Sequence, residues 1–279
     1  MRKKVAIIGA GFMGGSLALD LREKFSNFVI WGYARSQSSY RRIKKSNVVD
    51  KVERDLNRVV GGADFVVLAL PVFVIIDYLK RIAPLLKKGA IVFDLGSSKE
   101  FVERAAKKYM PKGAYFVGCH PLCGAEKGGV EFSSRGLYNG AHCIITASSG
   151  MKATKVVAGL WQELGTKVTY IRPQLHDKIL SSVSHLPHLI SFSITEFISK
   201  HYLKFSSRSL KDLTRISNSP SSVWTDIFLS NKANLRRDLQ GFIKVLRKFD
   251  AAIKEGDRRK IINLIKKVNK KQKLLSDTV

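Results

Sequence analysis

The chain has 279 residues, 45% of them hydrophobic, and a formal charge of +27, which allows one large domain or two ordinary ones with real cores and suits anionic partners: nucleic acid, an anionic membrane surface or small anionic ligands. Its longest apolar run, "FVVLALPVFVII" (65–76), is broken by Pro71 and falls short of the ~18 residues of a membrane span. Three cysteines, with no signal-peptide pattern in "MRKKVAIIGAG", argue against a disulfide framework and for a soluble protein of the reducing cytoplasm.

In chain order, "KKVAIIGAGFMGGSLALDLREKF" reads as an apolar strand, a glycine turn and a helix. Gly9, Gly11 and Gly14 form G-x-G-x-x-G in the context that gives this pattern its meaning. The first glycine permits the tight turn, the second lets backbone approach a pyrophosphate, and the third lets helix pack on strand. The free N–H groups at the helix start then face the phosphates. A second strand, 28–34, follows at the expected distance. After it come a strand in "ADFVVLALP", a helix in "VFVIIDYLKRIAPLL", a strand in "GAIVFDLGSSK" leading to a helix near Ser98, strands in "GAYFVGCHP" and "AHCIITAS", the helix "MKATKVVAGLWQELG" and a last strand "TKVTYI". This alternation predicts an α/β fold with a doubly wound, mostly parallel Rossmann-type sheet. Ligands of such sheets bind at the carboxyl ends of the strands. The glycine turn, Ser97 and His120 all fall there.

From Pro173 the texture becomes helical, which divides the chain into a dinucleotide-binding domain, 1–172, and a helical domain, 173–279. "QLHDKILSSVSHLPHLISFSITEFISKHYL" is one long helical pattern, and "SPSSVWTDI" reads as a helix start with serine caps. In "KEGDRRKIINLIKKVNKKQK", Ile261, Leu264, Ile265 and Val268 recur at helical spacing among lysines and arginines, the pattern of a solvated amphipathic helix. No aromatics are interleaved with these charges, so base stacking has no platform, which speaks against nucleic acid as the partner.

"DLGSSK", "GCHPLCGAEKGGVEF", "LHDKILSSVSHLPH" and "DLTRISNSPSSVWTDIFLSNK" together resemble the prephenate/arogenate dehydrogenase family of tyrosine biosynthesis, over nearly the whole chain. The resemblance implies a dinucleotide domain followed by an all-helical domain that forms a homodimer. It also implies oxidative decarboxylation of prephenate to 4-hydroxyphenylpyruvate, with hydride transfer to a nicotinamide cofactor. Arogenate, or both substrates, is the alternative; a β-hydroxyacid-type dehydrogenase and a non-catalytic nucleotide-sensing protein are more distant ones. By the same resemblance His120 is the catalytic histidine, neutral at working pH, and Ser97 hydrogen-bonds near the reacting hydroxyl. His188 and Arg215 bind substrate, and Glu126, Ser184 and Trp224 line or support its site. Asp177 is a further supporting position. A rate that rises as a histidine deprotonates is the expected pH signature. "SSRSLKD" (206–212) stands where relatives often carry a glycine-rich stretch, with Arg208 replacing a glycine.

Cys119 and Cys123 flank His120 but have no partner pair to close a four-ligand zinc site, and are expected to be small apolar neighbours of the histidine. The expected cofactor set is Gly9, Gly11, Phe12, Met13 and Gly14 at the first turn, Pro71 after a later strand, and Ala34, Arg35 and Ser36 at the end of the second. NAD-binding folds place Asp or Glu at that second-strand end, about 20 residues past the turn, to hold the ribose 2′-hydroxyl. Ala34 stands there, followed by Arg35 and Ser36. The absence of a carboxylate, with an arginine beside it, predicts NADP favoured over NAD.

Overall fold

In a computed structural model that describes residues 2–124, 128–147 and 150–276, the chain forms two compact units, Met1–Lys232 and Ala233–Val279. The first unit opens with β1 (Lys3–Ile8), α1 (Phe12–Lys24), β2 (Phe28–Tyr33), α2 (Gln37–Ser46), β3 (Lys51–Glu53), α3 (Leu56–Val60), β4 (Phe65–Leu68), α4 (Val72–Ile82), β5 (Ile91–Asp94) and α5 (Glu100–Tyr109). It continues with β6 (Tyr115–Pro121), β7 (His142–Ala147), α6 (Met151–Glu163) and β8 (Lys167–Tyr170). The eight strands make one sheet in the order β3-β2-β1-β4-β5-β6-β7-β8. Every pairing is parallel except β6 with β7. This is the doubly wound, mostly parallel Rossmann-type architecture that the alternation of strands and helices implies.

The sheet is covered on both faces, so its central strands are apolar throughout rather than alternating. In β1, Val5 and Ile7 enter one core with Leu17, Leu21 and Trp161, while Ala6 and Ile8 enter the other with Ile75, Leu79 and Val102. Strand order reverses direction at β1 and β4. The crevice outside their carboxyl ends is the ligand position of such a sheet.

The helical part of this unit holds α7 (Pro173–Leu180), α8 (Leu186–Phe197), α9 (Arg208–Thr214) and α10 (Ser221–Ser230). The long helical pattern from 174 to 203 is not one helix. A π-helical turn over Ser181–His185 separates α7 from α8, and a 3-10 turn follows at Lys200–Phe205. The wider turn admits Pro187 near the start of α8, where the missing N–H costs nothing. The serine cap expected for α10 is absent: Pro220 occupies the N-cap and no side chain caps the helix. α5 begins at Glu100 rather than near Ser98, with a cap supplied from α7.

The second unit consists of the long α11 (Lys232–Lys254), whose first residue belongs to the preceding unit, and α12 (Arg258–Ser276). Gly256, at φ +63, ends the first helix in the left-handed region that glycine favours. The N–H of Lys260 donates to Asp257 Oδ1 at 2.9 Å to open the second. The amphipathic stretch thus forms a helix, and Ile262, Ile265 and Val268 are exposed on it.

Candidate active site

The glycine turn has the geometry that dinucleotide binding needs. Gly9 lies at φ +98, and a Cβ there would meet the Ala69 carbonyl oxygen at 2.2 Å. A Cβ on Gly14 would meet the Gly9 carbonyl oxygen at 2.2 Å, so the third glycine keeps α1 against the turn. A Cβ on Gly11 would meet nothing within 4 Å. This glycine faces open space, where a pyrophosphate approaches backbone N–H groups.

A cleft of about 650 Å³ opens there. It brings together Gly9, Gly11, Phe12, Met13 and Pro71 from the dinucleotide side with Ser97 and His120 from the ends of β5 and β6. His188, Arg215 and Trp224 complete it from the helical side. Ten of the residues singled out in the sequence therefore share one cavity. Gly14 lies beneath it. Ala34 is buried at the end of β2, Arg35 is exposed beside it, and Ser36 is the N-cap of α2, its Oγ accepting from Ser39 N–H at 3.1 Å. These last three do not line the cleft. Neither does Ser184, which acts through its carbonyl: His188 Nδ1–H donates to it at 2.9 Å. Glu126 lies outside the described residues.

His120 is almost fully buried on β6. Its Nδ1 lies 2.8 Å from His176 Nε2, and His176 Nδ1 lies 2.7 Å from Asp177 Oδ1. The Asp177 carboxylate also accepts from the N–H groups of Lys99, at 2.7 Å, and Glu100, at 3.0 Å. Those amides only donate, so the carboxylate accepts from His176 as well, and His176 carries its proton on Nδ1. Its Nε2 is then an acceptor and takes the Nδ1–H of His120. One lone pair remains on the His120 ring, at Nε2, the nitrogen not turned to His176. Burial above all, then His176, Lys99 and His185, push the His120 pKa well below the ordinary histidine value. The ring is neutral at neutral pH, with the Nε2 lone pair able to accept a proton.

Beneath the histidine lies a buried ion pair that sequence reading missed. Lys99 Nζ donates to Asp94 Oδ2 and, at 2.8 Å, to the Cys119 carbonyl. Asp94 accepts from Gly96 N–H at 2.9 Å and from Cys119 N–H at 3.2 Å. The pair ties the turn carrying Ser97 to the strand carrying His120. Its signal was the aspartate and lysine of "DLGSSK", two charges framing a glycine turn at an apolar strand end. His176, the residue before the supporting Asp177, is the direct partner of His120.

On the helical side, Trp224 stacks on His188 with ring centroids 3.5 Å apart and planes at 21°. α10, which carries Trp224, reaches the dinucleotide side through Asp226, whose Oδ2 accepts from Phe73 N–H at 3.2 Å near the start of α4. Asn231 Nδ2 donates to the Asp177 carbonyl at 2.7 Å and to His185 Nδ1 at 3.1 Å. The cysteines behave as apolar packing: Cys119 and Cys143 are fully buried, and burial pushes the Cys123 thiol up to about 11.

A dinucleotide turn, a neutral histidine at a strand end and an arginine in one cleft define a nicotinamide-dependent dehydrogenase. The model of the prephenate dehydrogenase nucleotide-binding domain matches residues 17–170, and that of the prephenate dehydrogenase dimerization domain matches 172–267. The chain is 31% identical to a cyclohexadienyl dehydrogenase of Zymomonas mobilis, covering 91% of this chain and 90% of that one. It is also 31% identical to a prephenate dehydrogenase of Lactococcus lactis, covering 93% and 73%. A solved prephenate dehydrogenase from A. aeolicus, in complex with hydroxyphenyl propionate and NAD+, superposes with a TM-score of 0.90 at 31% identity over 99% of each chain. The chain belongs to the prephenate dehydrogenase family.

Proposed function

We propose that this protein oxidises and decarboxylates prephenate to 4-hydroxyphenylpyruvate in tyrosine biosynthesis. The observation that carries the reading is His120, held neutral with its Nε2 lone pair left for the cleft that also holds the glycine turn, Ser97 and Arg215. The open side of Gly11 fits a dinucleotide there, with Gly9, Gly11, Phe12, Met13 and Pro71 to hold it. When bound, the nicotinamide supplies the acceptor for the hydride that leaves the ring carbon bearing the hydroxyl. His120 Nε2 takes the hydroxyl proton, and Ser97 hydrogen-bonds the same oxygen. Arg215 offers a planar fork to a substrate carboxylate, and His188 on its Trp224 platform binds the substrate beside it. The ring carboxylate leaves as carbon dioxide as the ring becomes aromatic.

NADP is the preferred cofactor on this reading. Ala34 leaves the second-strand end without a carboxylate, and Arg35 and Ser36 stand next to it. The A. aeolicus relative carries NAD+, so the preference is argued from this chain's own residues. On this reading the dinucleotide-binding domain ends at Arg172 and the helical domain begins at Pro173, where α7 follows β8. The active form is a homodimer through the helical domain. The matching family model describes a dimerization domain, and Phe197 and Phe205 are 89% and 76% exposed on that part of the chain. No helix of the described residues is long and apolar enough to cross a membrane, and a cytoplasmic location suits the three free cysteines.

The test is absorbance at the reduced-nicotinamide band with prephenate and arogenate, each with NAD and NADP. The expected result is fastest turnover with prephenate and NADP. Faster turnover with arogenate overturns the substrate assignment, and no reduction with either overturns the reaction.

A further inference from the structure

His120 has a second histidine directly behind it, and the groups around the two rings treat a positive charge differently. Burial opposes a proton on either ring. Around His120 the charged and titratable neighbours are His176, Lys99 and His185, and all three oppose a proton there. Around His176, Lys99 opposes one, but Asp177 on its own helix and Asp94 at the end of β5 both favour one. His185, in the π-helical turn, is neutral, its pKa pushed down to about 4 mainly by burial. A cation in this cluster is therefore better placed on the inner ring, 2.7 Å from a carboxylate, than on the outer one.

We propose that His176 receives the reaction's proton: His120 passes it inward, so that the charge rests on a His176–Asp177 ion pair and not on the ring beside the substrate. This rests on the reading of His120 as the base. The substrate O–H bond breaks as an N–H bond forms at His120 Nε2. The His120 Nδ1–H bond breaks as one forms at His176 Nε2, across the 2.8 Å contact. His176 then carries protons on both nitrogens, its Nδ1–H still donated to Asp177. His120 is neutral again, with its proton on Nε2. As carbon dioxide leaves and the ring becomes aromatic, the ring oxygen takes the Nε2 proton back to form the product's phenol O–H, and the His176 proton returns to His120 Nδ1. No net proton leaves in the turnover. His176 touches no substrate; it is a positioning residue that also stores the proton.

Two experiments on the full chain test this. In the first, protein labelled with nitrogen-15 histidine is titrated to acid by NMR. His176 is expected to become doubly protonated before His120; the opposite order overturns the proposal. In the second, His176→Gln keeps both hydrogen bonds, because the amide oxygen accepts from His120 and the amide N–H donates to Asp177, but it binds no proton. Its kcat is expected to fall by roughly 10–100-fold, up to the low end of the 10²–10⁴-fold range for lost acid–base assistance, because His120 remains in place. Its acid limb should move to lower pH, and cofactor affinity should be unchanged. A kcat within about threefold of the wild type with an unmoved pH profile overturns it, by the same scale. If the variant does not fold, the titration of the wild-type protein decides. Loss of turnover in His120→Asn alongside an unaffected His176→Gln removes the relay and leaves the function standing. Retained turnover in His120→Asn removes both.

Discussion

His188 lies flat on Trp224, 3.5 Å between ring centroids, while its Nδ1–H is donated to the Ser184 carbonyl one turn back. The ring is thus held in plane by the indole and in rotation by the hydrogen bond. Trp224→Ala removes the first constraint and leaves the second. An aromatic pair contributes about 0.5–1.5 kcal/mol beyond its buried area, so the Michaelis constant for substrate should rise roughly 3- to 10-fold. Cofactor affinity should stay as it is. Equal Michaelis constants would show that the stack plays no part in holding substrate.

His120→Asn should keep cofactor binding and lose on the order of 10²–10⁴-fold in turnover. A rate that climbs through the ordinary histidine range is no longer the expected profile. Burial and its neighbours hold His120 well below 6.5, and His176 is lowered too. The base is already neutral at 6.5, so kcat should be level from there to neutral pH and fall only at more acid values. A midpoint at or above 6.5 in a kcat profile with prephenate would contradict the burial seen here.

Much of this was legible in the chain because it is local. The glycine turn needs its three glycines at fixed offsets, and buried parallel strands show as continuous apolar runs such as "FVVL" and "IVFD". His120 stood out because it ends such a strand. What escaped depends on partners distant in sequence. His176 reaches His120 across 56 residues and Lys99 takes its cap from a carboxylate 78 residues on, and neither side chain's own neighbours announce this. β3 has only three residues, "KVE", on a sheet edge, with no apolar run to mark it. The π-helical turn was hidden because its residues continue the helical periodicity on both sides.

The buried histidines make the fold sensitive to acid. His120, His176 and His185 all have folded-state pKa values below 6.5, with burial the leading cause in each. A depressed value means that the unfolded chain takes up protons first. Their stabilisation is fully present above 6.5 and is lost as pH falls below it. Each neutral histidine loses about 1.4 kcal/mol per pH unit in that window. Between pH 7.5 and 5.5 His185, with its pKa at about 4, should by itself cost on the order of 1.4 kcal/mol, and His120 and His176 add to the loss in the same direction. Urea unfolding at the two values measures this, and equal midpoints would mean that these rings protonate in the folded protein as readily as in water.

Arg215 enters the cleft from the 3-10 turn that follows α9. It is exposed, so its interaction with a carboxylate is moderated by water. A hydrogen bond to a charged group contributes about 1.5–3 kcal/mol, and Arg215→Ala should raise the Michaelis constant for substrate roughly 10- to 100-fold. Cofactor affinity should change little. Substrate saturation curves that superimpose on the wild type would return Arg215 to a structural role.

The cofactor preference turns on the end of β2. Ala34 is buried and its N–H donates to the Glu53 carbonyl at 2.9 Å, and position 34 itself carries no carboxylate to repel a 2′-phosphate. Arg35 is exposed beside it. Ser36 caps α2, placing the free N–H groups of that helix start at the same corner. Arg42, further along α2, is committed elsewhere: its Nε and Nη2 donate to the two oxygens of Glu131 at 2.9 and 2.7 Å. On the proposed reading, Arg35 and Ser36 are the discriminating contacts. One or two such contacts correspond to roughly a 10- to 100-fold preference for NADP in kcat/KM. Ala34→Asp combined with Arg35→Ala installs the ribose acceptor and removes the phosphate partner, and should reverse the order. Arg42→Ala should leave the ratio as it is and loosen only the Glu131 contact. The measurement is kcat/KM for each cofactor in the wild type and both variants. Equal or faster wild-type turnover with NAD would dismiss Arg35 as a 2′-phosphate contact while leaving the fold and the chemistry at His120 untouched.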